Sequence, residues 1–489
     1  MKPIAIPKQV MERLKRHRPP RAPQPVTAKG TDEMFPYLEA VARRPYTTGN
    51  HVTWDLHQGE RVLVRVDNWY EDSVVEAVCK VLEEFGCTYD VRKDDVGPLP
   101  QQLEGHNEIE VFLGMTKETA RELVEWRRID KEGRYDKLLW GLGGPILADS
   151  AMKVQRMPFL TPEHVMSSAH TLPFEILRAI DTWTHERSLR AKSVHIVDPE
   201  GTDLRYDNSD ELFSPDRRQF SQTLLDEWWG SDILPMLVIP HGGHIFAKPP
   251  FLTRAENAEG VMAGTMNHIG PYPHIRLQMK NSQVVAIEGG GRFGEKLNGL
   301  VEQTKNLQYP MHPDKGLLYL WEVAVGTNPK IHRPTRGYLS GHNCAIYERV
   351  RSGIIHLGFG SVMSSHSENL AAEAGMLVGH FHVHLYFPTV TLEMHDGTTE
   401  VLIEDGHLKA LDDPGVRSVA SKYGDPDQLL SEDWVPAIPG LNMEGDYQDY
   451  ASDPLAWIKV EMALSDKWHD LYMKMVSPRM DDPAAHVHT

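Results

Sequence analysis

The run Arg61-Val62-Leu63-Val64-Arg65-Val66 sets the fold at the N-terminal end of the body. Apolar and polar residues alternate at its flanks as they do in a strand. Ser73 and Glu76 follow as an S-x-x-E capping box, the signature of a helix start. Val75, Val78, Cys79 and Leu82 then fall on one helix face. Gly86 ends that helix, and Cys87–Val91 reads as the next strand, so the stretch predicts one βαβ unit. Further on, Glu108–Leu113 reads as a strand, Thr116–Arg128 as a helix and Lys137–Trp140 as a short strand. The first strand-to-helix turn, Asp67-Asn68-Trp69-Tyr70, has no G-x-G-x-x-G, so it lacks the phosphate cradle of a dinucleotide site.

Working outward, residues 1–48 form a basic, proline-rich arm, with prolines dense enough to forbid a long helix. On an acidic body such an arm is expected to dock against that body or a neighbouring subunit. Residues 49–190 make the N-terminal α/β domain. From 191 to 400, strand-like runs outnumber helices: Ser193–Val197, Leu234–Ile239, Val284–Ile287, Leu317–Val325, Ile354–Phe359 and Phe381–Phe387. The glycine run Gly289-Gly290-Gly291-Arg292-Phe293-Gly294 lacks the Gly-Lys-Ser/Thr ending of a phosphate loop and reads as a flexible strand exit. Residues 401–489 are acidic and rich in turn signals, as a wrapping extension would be. The expected fold class is α/β plus α+β: a Rossmann-like N-terminal domain followed by a mixed-sheet metal-binding domain.

The 489 residues leave room for two or three domains. A net charge of −18 argues against a general nucleic-acid binder, which needs a basic footprint. Three cysteines cannot make a disulfide framework or a four-cysteine zinc site. No apolar run approaches the roughly 20 residues of a membrane helix, and no secretory signal is visible. A cytoplasmic protein, a homo-oligomer acting on a small molecule, is the expectation. The unusual item is histidine, of which there are 25.

In Gly379-His380-Phe381-His382-Val383-His384-Leu385 a strand places the three histidines on one face and the apolar residues on the other. Two imidazoles two residues apart on a strand can both reach a metal. A carboxylate is the usual complement. Glu322 lies inside the apolar run Trp321–Val325, where it must be paired, protonated or bound to a cation. His356 sits inside the apolar run after Glu348, and His244 beside a glycine-rich turn.

These same residues resemble the aminopeptidase T family of metallopeptidases, over about residues 59–390. The family's Glu-x-x-x-Gly-Thr-Asn-Pro motif resembles Glu322–Pro329, and its Glu…Gly-Thr-x-His-x-x-x-Gly motif resembles Glu348…Gly353–Gly360. Its His-x-Asp strand aligns with His382-Val383-His384, and its Gly-Glu-Val-Phe-x-x-Pro turn with Gly243–Pro249. Its N-terminal opening resembles Gly59–Arg65, and its Gly-Thr-Asp-Leu turn Gly201–Leu204. The resemblance implies two metals held by two glutamates, two histidines and an aspartate. This chain departs from that set: His244 stands at a glutamate position and His384 at the aspartate position. Neutral imidazoles there remove two charges from a site meant for two cations, and an imidazole nitrogen cannot bridge.

What remains is Glu322, His382 and His384, two histidines and one carboxylate, the facial triad of non-haem Fe(II) oxygenases. A divergent branch, 2,5-dihydroxypyridine dioxygenase, is similar. The resulting expectation is a mononuclear Fe(II) dioxygenase cleaving a hydroxylated aromatic or N-heteroaromatic ring, with His244 and His356 as acid/base groups or further ligands. The rival is a metal-dependent aminopeptidase or amidohydrolase carrying Zn or Co on His244, Glu322, His356, His382 and His384, with Glu348 as general base.

Overall fold

The computed structural model describes residues 6–44, 54–95, 125–141, 151–208, 244–248, 256–333, 348–361 and 371–476, apart from 24, 25, 27, 29, 126, 127, 158, 269, 310, 311, 313, 372 and 373. The strands predicted over 108–113 and 234–239, and most of the helix predicted over 116–128, lie outside the described residues.

Strands β1 (Arg61–Asp67), β2 (Thr88–Asp94), β3 (Lys137–Trp140) and β4 (Lys153–Arg156) form a parallel sheet in the order β2-β1-β3-β4. β1 is buried on both faces from Val62 to Asp67 rather than alternating, as expected of a central parallel strand covered on both sides. Its buried Arg65 is neutralised by Asp94 at 2.6 Å.

The helix after β1 spans Asp72–Glu84, with Glu71 at its cap position and no side-chain cap. The predicted capping box is therefore not formed, because Ser73 lies inside the helix. The backbone sets the entry instead: Glu71 N–H donates to Leu160 O at 3.0 Å. The buried face is accordingly Val74, Ala77, Val78, Val81 and Leu82, turned away from the predicted Val75 and Cys79. Gly86 follows at φ +69°, a left-handed turn that suits glycine.

The second sheet is a twelve-stranded, antiparallel, curled one. Its strands are β5 (Ala191–Val197), β6 (Asp203–Asp207), β7 (His244–Lys248), β8 (Glu256–Met266), β9 (Pro271–Lys280), β10 (Gln283–Gly289), β11 (Tyr319–Gly326), β12 (Ile355–Gly360), β13 (His380–Leu385), β14 (Thr389–Met394), β15 (Thr399–Glu404) and β16 (His407–Leu408). The order is β13-β12-β11-β10-β9-β8-β6-β5-β14-β15-β16, with β7 on β11. β8 and β13 are not neighbours in this order, yet they touch. A Cβ on Gly264 would lie 2.8 Å from Val383 Cγ1 and 3.2 Å from the His384 carbonyl oxygen. The sheet curls around an apolar interior that includes Ile196, Leu277, Val323, Leu357, Phe381 and Val383.

The glycine run ends β10 and opens a helix, Gly291–Thr304, with Gly290 at its cap position, so it is a strand-to-helix junction. Gly289, Gly290 and Gly291 all have positive φ, and a Cβ on Gly294 would meet Gly289 O at 1.9 Å.

The basic arm docks on the body, as its charge suggests. Arg13 grips Asp405 at 2.6 and 2.7 Å, Arg18 reaches Glu432, and Arg21 pairs with Val435 through the backbone. The arm carries helices Lys8–His17 and Thr31–Arg43, the second running through Pro36 despite the lost N–H. The C-terminal segment buries Trp434, Tyr447 and Tyr450, while β15 and β16 extend the large sheet past residue 400. Among the described residues no helix is long and apolar enough to cross a membrane.

Candidate metal centre

Three adjacent strands deliver the predicted donors by register alone. Glu322 on β11 faces Gly358 on β12, which faces His382 on β13. One rung along, Ala324 faces His356, which faces His384. Paired residues share a face, so Glu322, His356, His382 and His384 point to one side. Phe381, Val383 and Leu385 enter the apolar core. An irregularity between Leu320 and Glu322 shifts the register just before the carboxylate, as bulges near functional sites often do.

His356 Nε2 lies 3.0 Å and His382 Nε2 3.8 Å from Glu322 Oε2. All four side chains are buried. A fifth, His268, arrives from the turn after β8. Its ring stacks on His382 with centroids 3.3 Å apart, and lies 4.9 Å from His356 and 5.2 Å from His384. One ligand atom each from His268, His356 and His382 fall within 4.8 Å of one another, so these three buried histidines can hold a metal ion.

The fit to a cation is supported by His384. It is fully buried, and neither ring nitrogen has a hydrogen-bond partner among the described residues. Burying an unsatisfied polar group is costly, and metal coordination is one way to satisfy a lone pair. Burial, helped by His356 and Arg349 and opposed by Glu322, holds His384 well below the usual imidazole range. Burial and then Arg349, with the neighbouring histidines, do the same to His268. Neutral imidazoles keep the lone pair that a metal needs.

The other predicted site residues are placed as follows. His244 opens β7 opposite Gly326, and His380 opens β13 opposite Gly360; both side chains lie outside the described residues. Glu348 is buried and engaged at both oxygens, by Arg333 Nε at 2.6 Å and by the Tyr386 hydroxyl at 2.5 Å. His268 was not foreseen. Its one local signal is a histidine in the Asn267–Pro271 turn, and only the curl of the sheet carries it to His382.

The residues after Glu322 explain themselves physically. A Cβ on Gly326 would lie 2.0 Å from Arg351 O and 2.8 Å from Arg349 O. Thr327 donates to Asp181 at 2.5 Å. Gly326→Ala is expected to lower stability by about 1–3 kcal/mol through overpacking. Urea denaturation measures it, and an unchanged midpoint would mean that the 349–351 backbone yields freely.

No protein-family model matches the chain, and no curated protein does. Among solved structures it is similar to 2,5-dihydroxypyridine dioxygenase from Pseudomonas putida KT2440, with 12% identity and a TM-score of 0.40, over 78% of this chain and 98% of that one. It is also similar to wild-type AmpT from Thermus thermophilus, with 14% identity and a TM-score of 0.41, over 77% of this chain and 99% of that one.

Proposed function

We propose that the chain is a mononuclear non-haem Fe(II) dioxygenase that opens a hydroxylated aromatic or N-heteroaromatic ring. The observation that carries this reading is the donor set. Among the described residues one carboxylate, Glu322, stands among buried histidines, with His384 on the strand that offers His382. A set this poor in negative charge suits one divalent cation better than two. Glu322, His382 and His384 would hold the iron, with His268 and His356 close enough to complete or support the set. Bound Fe(II) supplies open positions where substrate oxygens and dioxygen meet.

The protein's own part is to bind, orient and move protons. His356, whose Nε2 lies 3.0 Å from Glu322, and His244 on β7 would be the acid/base groups for the substrate hydroxyl. Glu348, anchored by Arg333 and Tyr386, braces the loop that leads into β12. The buried setting keeps bulk water from the reacting oxygens. The substrate is a small molecule, and the working form is a homo-oligomer.

The test is metal analysis of anaerobically purified protein, with an oxygen electrode and a panel of hydroxylated aromatics and aminoacyl-anilides. One iron per chain, with oxygen consumed in step with the aromatic, is the expected result. Two zinc or cobalt ions per chain, with anilide cleavage in an anaerobic chamber, would replace this reading with an aminopeptidase or amidohydrolase.

A further inference from the structure

Glu200 sits in the turn between β5 and β6, 1% exposed. Its Oε1 accepts from the hydroxyls of Tyr447 and Thr265, both at 2.9 Å. Its Oε2 is buried without a hydrogen-bond partner among the described residues. Asp198 of the same turn accepts from the Glu200 and Phe387 N–H groups at 2.8 and 3.2 Å, and feels Asp405 of the β15–β16 turn. His274 of β9 lies 2.7 Å from the Glu200 carbonyl oxygen, and burial holds its imidazole neutral. Arg276 of β9 acts on His274 and, among the described residues, pairs with neither carboxyl. Tyr447 and Tyr450 arrive on the helix Tyr447–Ser452 of the C-terminal segment, and the Tyr450 hydroxyl lies 3.4 Å from Thr265 Oγ1. Burial and then the Asp198 charge push the Glu200 carboxyl above its ordinary range, opposed by the two hydroxyls. The closed structure therefore favours a neutral carboxyl.

We propose that Glu200 is a proton-operated latch for the C-terminal segment: the neutral carboxyl keeps Tyr447 and its helix closed on the large sheet, and ionisation favours their release. What covers the acid decides which part moves. Thr265 and His274 belong to strands of the sheet, so the helix is the layer that can lift without breaking the sheet. Lifting it brings water to the carboxylate, which a buried anion without a cation needs. The sign follows by linkage. The closed state, with its raised carboxyl, binds the proton more tightly than the open state. Closure is therefore strongest in acid and weakens as pH climbs above the ordinary carboxyl value of roughly 4.3. The same segment borders the metal centre: Tyr450 is within electrostatic reach of Arg333 and Glu348, and β8 runs on from Thr265 to the His268 turn.

The test is amide hydrogen exchange on the full chain at about pH 6 and pH 8, corrected for the intrinsic pH dependence of exchange, for the unmodified protein, Glu200→Gln and Tyr447→Phe. In the unmodified protein the opening of residues 447–452 should rise by roughly tenfold or more between the two values, as release of one proton allows. Strand β9 should stay far better protected at both, which makes the event local. Glu200→Gln keeps the shape of the neutral acid and cannot ionise, so the rise should vanish. Tyr447→Phe removes the hydroxyl and keeps the ring. It should open the segment roughly threefold to tenfold more at each pH, the worth of one hydrogen bond, and retain the rise; it decides the matter if the glutamine variant does not fold. No rise in the unmodified protein, the full rise retained in Glu200→Gln, or a Tyr447→Phe segment no more open than the unmodified one would each overturn the latch.

Discussion

His384→Leu is expected to give an apo-protein more stable than the unmodified chain and unable to retain metal. The two effects share one cause. Both ring nitrogens of His384 are buried without a hydrogen-bond partner among the described residues, and such groups cost about 1–3 kcal/mol each time they are left unmade. Leucine has a similar reach and nothing to satisfy, so the metal-free fold should gain on that scale. Metal affinity should fall by more than about 100-fold, the upper end of what losing a mere supporting residue costs. His382→Ala and Glu322→Gln should also lose the metal. Each lacks the stability gain, because alanine opens a cavity and glutamine breaks the 3.0 Å contact with His356. Thermal melts in chelator, paired with metal titration, read both quantities. Full metal occupancy in His384→Leu would remove His384 from the ligand set and leave its buried nitrogens as a plain packing defect.

The legible parts of the sequence were those where one strand or helix carries its own signal. Val62–Val66 and Lys137–Trp140 fall in strands β1 and β3. The alternation from His380 to Leu385 reads directly as β13, with its apolar face in the core. The helix after β1 was legible in existence but not in phase, because the Leu160 contact sets its entry and no local cap does. Strands β8 and β9 were missed. β8 runs Glu256-Asn257-Ala258-Glu259-Gly260-Val261-Met262-Ala263-Gly264-Thr265-Met266, whose small residues serve close approach to other strands rather than a period. Gly260 and Gly264 both sit where a Cβ would strike a neighbouring chain segment. His268 depends on that same approach, and so it had no voice in the sequence. The donors on β11, β12 and β13 could be nominated singly, but only register shows that Gly358 stands between Glu322 and His382.

Glu432→Gln is expected to be the most destabilising single change outside the metal centre, at about 3–5 kcal/mol. This carboxylate is where the arm, the β12 approach and the C-terminal segment meet. Arg18 reaches it at 2.5 and 3.1 Å, Arg351 at 2.8 Å, Ser352 at 3.0 Å and His407 at 3.3 Å. Both arginines are buried. Glutamine fills the same space but leaves two guanidinium charges without their shared anion, which is the costly way to break a buried pair. The pH dependence follows. Burial alone would raise the Glu432 carboxyl, but Arg18, His407 and Arg351 outweigh it and hold it far below the ordinary carboxylate range. A depressed carboxyl contributes fully above its unfolded value, roughly 4.3, and loses that contribution as pH falls toward the folded value. His407 runs the other way. Burial pushes it down, but Glu432 and Asp412 pull it above 6.5. Its contribution is complete at acid pH and fades as pH rises through its folded value. The unmodified protein should therefore lose stability on both flanks, and Glu432→Gln should flatten both. Urea midpoints measured from pH 3 to 9 test this. A variant whose unfolding free energy stays within about 1 kcal/mol of the unmodified chain, with the same acid slope, would show that Arg18 and Arg351 find other partners and that the arm is not held through Glu432.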